Sequence, residues 1–133
     1  MAYPWWKIAK AKKLWPGRGF IQQDARRLQY DDRSFDVVMS GACIAHIEQW
    51  EQALGEICRI PRQWLILHRN PIQPHDEETT LKDRPYGGVK VWIRRFKRSD
   101  LHDFVQAQGF SLIQSVTSGT NLESYLYKRT ADD

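Results

Sequence analysis

The sequence predicts a single α/β domain in which helices cover a mostly parallel sheet, closed by an antiparallel strand at its C-terminal edge. Three observations point there. The apolar runs Phe35–Met39 and Trp64–Leu67 read as parallel strands buried on both faces. Between them, from Glu48 to Arg59, apolar residues recur every three or four positions, the period of a helix. Phe110–Val116 and Ser124–Lys128 follow one another with only the turn-rich Ser118-Gly119-Thr120-Asn121 between them, so they pair as antiparallel neighbours. A chain of 133 residues holds one such domain at most.

In chain order, Trp5–Leu14 reads as a short basic helix stopped by Pro16-Gly17. Phe20–Gln23 reads as a short strand leading into Asp24, and Tyr30–Ser34 as a polar turn. The strand from Phe35 is bounded by Asp32 before it and by Ser40-Gly41 after it. On the following helix Ile47, Trp50, Leu54 and Ile57 form one apolar stripe, and Pro61 ends the element. Asn70-Pro71 stops the next strand, and a polar loop from Gln73 to about Pro85 leads to an extended segment, Val89–Phe96. Ser99 is placed as the N-cap of a last helix, with Asp100 where the helix dipole favours an anion. Leu101, Phe104 and Val105 are its buried stripe, and Gly109 is its C-terminal stop.

Composition excludes several classes. Apolar residues make up 41% and charged residues 27% of the chain, which is ordinary for a globular protein and too apolar for a disordered one. No apolar run approaches the roughly 18 residues of a transmembrane helix, and the cationic N-terminus lacks the apolar core of a secretory signal, so the expected location is cytoplasmic. Cys43 and Cys58 form neither a metal-ligand pattern nor a disulfide framework and read as buried free thiols. His75-Asp76-Glu77-Glu78 lacks the spacing of a metal site and reads as a solvated loop.

The net charge of +4 is unevenly spread. Residues 1–19 hold five basic side chains and no acid, and they set off a basic, Trp/Lys-rich helical segment from residues 20–133. A second basic cluster lies at Lys90, Arg94, Arg95, Lys97 and Arg98. With Trp5, Trp6 and Trp15 among the lysines, a nucleic-acid or anionic-surface binding module is one reading of this pattern.

The stretch Gln23-Asp24-Ala25-Arg26-Arg27-Leu28-Gln29-Tyr30, continuing through Ser34-Phe35-Asp36 into the strand, resembles the middle of the small-molecule S-adenosylmethionine-dependent methyltransferase domain. That family carries an Asp-Ala pair, a Leu-Pro-Phe-like step and then Ser-Phe-Asp; here Gln29-Tyr30 stands where Pro-Phe is usual. His46-Ile47-Glu48 with Ala53-Leu54 and Glu56–Ile60 is similar to the family's next helix, Trp64–Leu67 to its fifth strand, and Ser99-Asp100-Leu101 with Gly109-Phe110 to its late helix and sixth strand. The resemblance spans residues 8–128 and rests on the order and spacing of these pieces.

The resemblance implies a partial Rossmann-like methyltransferase sheet that lacks the first two strands. In that family the first strand ends in a glycine-rich loop and the second in a ribose-binding acid; Gly17-Arg18-Gly19 precedes a strand instead of following one and reads as a turn. Residues 20–133 would then be the C-terminal portion of the domain, truncated at its front. Its bared sheet edge would suit a second copy of the chain or a completing subunit.

Ligands of open α/β sheets bind beyond the carboxyl ends of the strands. By resemblance, Asp24 and Ala25 would meet the adenine of S-adenosylmethionine, and Ser40 and Gly41 would let the backbone approach the cofactor. His46 and His68 are the candidate general bases, because imidazole takes a proton near neutral pH. Arg69 and Arg95 are the candidate substrate-binding residues for an acidic group on a small-molecule acceptor. The absence of an Asn-Pro-Pro-Tyr-like motif disfavours an adenine-base methylase. The rival reading within this family is a catalytically silent remnant.

Overall fold

In a computed structural model, described for residues 5–14, 16–17, 19–86 and 88–130, helix α1, Trp5–Leu14, comes first in the chain, and the β-branched run after Ser34 forms strand β1, Phe35–Gly41. A 3-10 turn at Ile44–His46 leads into helix α2, Trp50–Arg59, and then strand β2, Pro61–Pro71. Strands β3, Thr80–Tyr86, and β4, Val89–Arg95, form a separate antiparallel hairpin. Helix α3, Arg98–Ala107, and strands β5, Phe110–Thr117, and β6, Leu122–Arg129, complete the chain.

The main sheet has the order β1-β2-β6-β5. β1 and β2 are parallel, and β6 runs antiparallel to both β2 and β5. Three of the four strands thus share one direction, and the C-terminal strand opposes them from between β2 and β5. This is the partial Rossmann-like methyltransferase sheet, in which helices connect β1 to β2 and precede β5.

Alternation along the strands divides the sheet into two unlike faces. Leu65, Leu67, Tyr125, Tyr127 and Phe110 are buried beneath Leu54, Ile57 and Cys58 of α2 and Leu101 and Val105 of α3. Burial of each such aliphatic side chain contributes roughly 1.5–3 kcal/mol. On the opposite face Val37 is 50%, Met39 62% and Val116 50% exposed. No described helix covers that side.

Several elements differ from the sequence expectation for identifiable reasons. Phe20–Gln23 belongs to no strand of the described residues; the Asp24 and Arg27 that follow make an isolated bridge. β2 does not stop at Asn70. Its register shifts between Leu67 and Asn70, Arg69 adopts φ 55°, and the buried Asn70 amide donates to the carbonyls of Leu67 (2.9 Å) and Glu123 (3.0 Å) across the irregularity. The loop expected over residues 73–85 contains β3, whose Lys82 and Asp83 hide the apolar alternation that signals a strand. Ser99 is not the cap of α3; Lys97 holds that position, and Thr79 Oγ1 accepts its N–H at 2.8 Å while donating to the Asp100 carboxylate. Gly109, at φ 95°, does terminate α3 in the left-handed region that favours glycine. Cys58 is buried, whereas Cys43 lies beyond the strand end and is exposed.

Candidate active site

Beyond the carboxyl end of β1 the chain turns sharply. Ala42 takes φ 51°, and its N–H donates to the carbonyl of His68 at 2.9 Å. The 3-10 turn that follows is anchored by the buried Ile44 and Ala45 and presents the exposed His46. Opposite it lies the Gln22–Arg26 segment. Between them is an open cleft of about 710 Å³, lined by Asp24, Ala25, Cys43, His46, Ile47 and Glu48 among others.

The Asp24 side of this cleft is electrostatically set by Arg26. The Arg26 guanidinium reaches both carboxylate oxygens, Nε to Oδ1 at 3.0 Å and Nη2 to Oδ2 at 2.8 Å, and its backbone N–H donates to Oδ1 at 2.9 Å. These hydrogen bonds from Arg26 lower the Asp24 pKa to about 2. The carboxylate is therefore ionised at any ordinary pH and acts only as an acceptor. The Ala25 N–H has no partner among the described residues, so a donor and an acceptor stand side by side.

The segment is held from behind by Arg59 of α2. Its guanidinium donates to the carbonyls of Tyr30 (2.6 Å) and Leu28 (3.1 Å) and pairs with Asp32 and Glu56, both at 2.8 Å. Glu56 in turn accepts the Leu28 N–H at 3.0 Å, and the Arg59 hydrogen bond holds its carboxyl below the usual range.

The remaining candidates fall around the cleft rather than in it. Ser40 is buried, and its Oγ is the one buried side-chain oxygen without a partner among the described residues. Gly41 is exposed, and a Cβ there would meet nothing within 4 Å, so its backbone is open to close approach. His68 pairs with Gly41 on the neighbouring strand and contacts Ser124 Oγ at 3.2 Å. Arg69 sits on the irregular turn of β2, its N–H donating to the same hydroxyl at 2.9 Å. Arg95 lies at the base of the hairpin, opposite Thr80. Asp24, Ala25 and His46 are thus brought together, Ser40 and Gly41 adjoin them along the chain, and His68, Arg69 and Arg95 lie outside the lining of this cleft.

The second basic cluster does not survive as a patch. Arg98 pairs with Glu123 at 2.5 Å, Lys97 with Glu78 at 3.2 Å, and Arg94 is buried. Arg94 is also the residue that sequence reasoning missed at the site. It donates to the carbonyls of Ile47 (2.6 Å) and Glu48 (3.0 Å), immediately after His46. The side chains of Trp5 and Trp6, and Trp15 as a whole, lie outside the described residues.

The sheet order, the single antiparallel strand and a cleft at the carboxyl end of β1 are those of the Rossmann-like methyltransferase fold. The comparisons agree: a family model described as a methyltransferase domain matches residues 6–66. The chain is 31% identical over 74 residues to the phthiotriol/phenolphthiotriol dimycocerosates methyltransferase of Mycobacterium tuberculosis, a match covering 53% of this chain and 26% of that protein. Two solved structures share its fold. The 1,6-didemethyltoxoflavin-N1-methyltransferase of Burkholderia thailandensis, with bound S-adenosylhomocysteine, matches at TM-score 0.68 and 15% identity over 92% of this chain and 56% of that one. Magnesium protoporphyrin IX methyltransferase from Synechocystis, also with bound S-adenosylhomocysteine, matches at TM-score 0.64 and 15% identity over 92% and 57%. The chain shares the fold of these S-adenosylmethionine-dependent methyltransferases and spans little more than half the length of the two structures, while its match to the curated relative covers about a quarter of that protein. Among the described residues no helix is long and apolar enough to cross a membrane.

Proposed function

We propose that this chain provides one half of a site for S-adenosylmethionine-dependent methyl transfer to a small-molecule acceptor, and that it needs a glycine-rich strand and loop from elsewhere to complete the site. The observation that supports this most directly is the meeting of Asp24, Ala25 and His46 around one cleft. The fit to the cofactor is chemical. An adenine edge offers an amino donor beside a ring-nitrogen acceptor, and Asp24 with the Ala25 N–H offers the complementary pair. When bound, S-adenosylmethionine supplies an electrophilic sulfonium methyl group. His46 takes the proton that the acceptor loses as its new bond to carbon forms, and the cleft walls hold the acceptor in line. The location proposed is the cytoplasm, where the free thiols Cys43 and Cys58 remain reduced. The edge of β1 that has no partner strand among the described residues is where completing strands, or a second copy of the chain, would join.

Titration of S-adenosylhomocysteine by calorimetry into the chain and into Asp24→Ala tests the cofactor half of this reading. The expected outcome is saturable binding that weakens about tenfold in the variant, the loss of one charge-assisted hydrogen bond. Because Asp24 stays ionised down to about pH 2, its contribution should be unchanged from about pH 4 upward. Absence of heat from a folded chain would reject cofactor binding by this chain alone and favour the catalytically silent reading.

A further inference from the structure

We propose that the β3–β4 hairpin is the positioning element for His46: the Trp92 carbonyl fixes the imidazole with Nε2 free to accept a proton, and Arg94 holds that carbonyl in place. This rests on the reading of His46 as the proton acceptor given above.

His46 Nδ1 lies 2.8 Å from the backbone oxygen of Trp92 in β4. A carbonyl oxygen has no proton to give, so Nδ1 must carry the hydrogen of this bond. In a neutral imidazole the other nitrogen then bears the lone pair. The contact therefore selects the tautomer in which Nε2 is a base, on a side chain that lines the cleft with Asp24.

The Trp92 carbonyl is useful only if its strand is immobile relative to the 3-10 turn. The hairpin base is tied to the end of β2, with the Phe96 N–H donating to Pro71 (2.9 Å) and the Gln73 N–H to Phe96 (2.8 Å). Two residues before Phe96, Arg94 reaches the other side of the joint. It lies 5% exposed, pairs with no carboxylate among the described residues, and gives its hydrogen bonds to Ile47 and Glu48 carbonyls. Its guanidinium also lies 5.8 Å from the Trp50 ring centre and 5.9 Å from that of Phe96. A planar fork with two donors suits two successive carbonyls, whereas a lysine ammonium offers a single point of charge. One arginine thus joins β4, the segment after His46 and the first turn of α2. His46 is gripped from both sides, its ring by Trp92 and the following backbone by Arg94.

The test is a long-range proton–nitrogen correlation spectrum of the chain labelled with 15N-histidine. It is taken above pH 8, where imidazoles are neutral, and His46 is assigned by comparison with His46→Gln. The expected result is His46 protonated at Nδ1 and bare at Nε2, with Arg94→Met shifting the population toward protonated Nε2 and Arg94→Lys falling between. A wild-type His46 protonated at Nε2 overturns the proposal, as does a folded Arg94→Met with an unchanged ring spectrum. Should Arg94→Met fail to fold, the wild-type spectrum and that of Arg94→Lys decide between the same outcomes. The readout needs neither cofactor nor turnover. A spectrum as expected from a chain that never binds S-adenosylhomocysteine would dispose of the methyl-transfer reading while leaving the positioning intact.

Discussion

At the scale of single residues, arginines set the geometry of the site by hydrogen bonding the backbone. Arg59 spans two loop carbonyls and two carboxylates. Replacing it by methionine keeps the stem and strands the Tyr30 and Leu28 carbonyls, at a cost of about 2–3 kcal/mol. We expect Arg59→Met to lower the melting temperature by roughly 10 °C and to weaken S-adenosylhomocysteine binding, because the segment that presents Asp24 loses its support. Glu56 links the same contact to pH. Its folded-state pKa is depressed, with Arg59 as the first cause, so its stabilisation is present above the ordinary glutamate value and fades as pH falls through the folded value. A variant that melts like the wild type would show that the loop is held by other contacts. Asp24 and His46, which line one cleft, could be named as candidates because they sit in a run of residues whose order resembles a known domain. Arg94 was not: Val89, Val91 and Ile93 alternate with Lys90, Trp92 and Arg94, and that pattern sends Arg94 to solvent. Only the docking of the hairpin against the segment after His46 buries it, and nothing local in the sequence encodes that docking.

At the scale of elements, α3 and β6 share a polar network under the helix. Arg98 pairs with Glu123, the Tyr125 hydroxyl donates to Glu123 at 2.9 Å, and His102 Nδ1 lies 2.7 Å from the Tyr127 hydroxyl with its ring edge-on to Tyr125. Burial is the first cause that lowers the His102 pKa, and Arg98 adds to it, against the opposing pull of Glu123 and Asp103. The unfolded chain therefore takes up this proton before the folded one does. Stability is full above the ordinary histidine range and declines as pH falls through the folded-state value. His102→Gln keeps a polar partner for Tyr127 and has no proton to gain. The expected result is a smaller loss of melting temperature between about pH 7.5 and about pH 5.5 in the variant than in the wild type. Equal losses would assign the acid sensitivity to other groups. The elements themselves were largely readable, since α2 and α3 follow their apolar period and β1 its β-branched run. β3 was hidden by Lys82 and Asp83, and β2 outran its expected end because the Asn70 side chain bridges a register shift that no periodicity encodes.

At the scale of the whole molecule, the imbalance between the two sheet faces is the dominant fact. A parallel strand such as β1 is ordinarily covered on both faces and paired on both edges. Here, among the described residues, β1 pairs only with β2, and Phe35, Val37 and Met39 are 45%, 50% and 62% exposed. Ile113 and Val116 of β5 extend the same apolar surface at 53% and 50%. Each such side chain gains roughly 1.5–3 kcal/mol when covered, and an exposed flat edge is a template for another strand. The family resemblance implied a bared sheet edge. It did not foretell the width of the bare surface, because β5 turns Val116 outward only through the register shift between Leu112 and Gln114. The chain by itself should therefore associate through this face. Sedimentation across a concentration series should show a dimer or larger species, and the pair Val37→Lys with Met39→Lys should return it to a monomer with its circular dichroism unchanged. A wild-type chain that stays monomeric at every concentration would mean that this surface tolerates water and that the edge of β1 needs no cover for the fold to stay in solution.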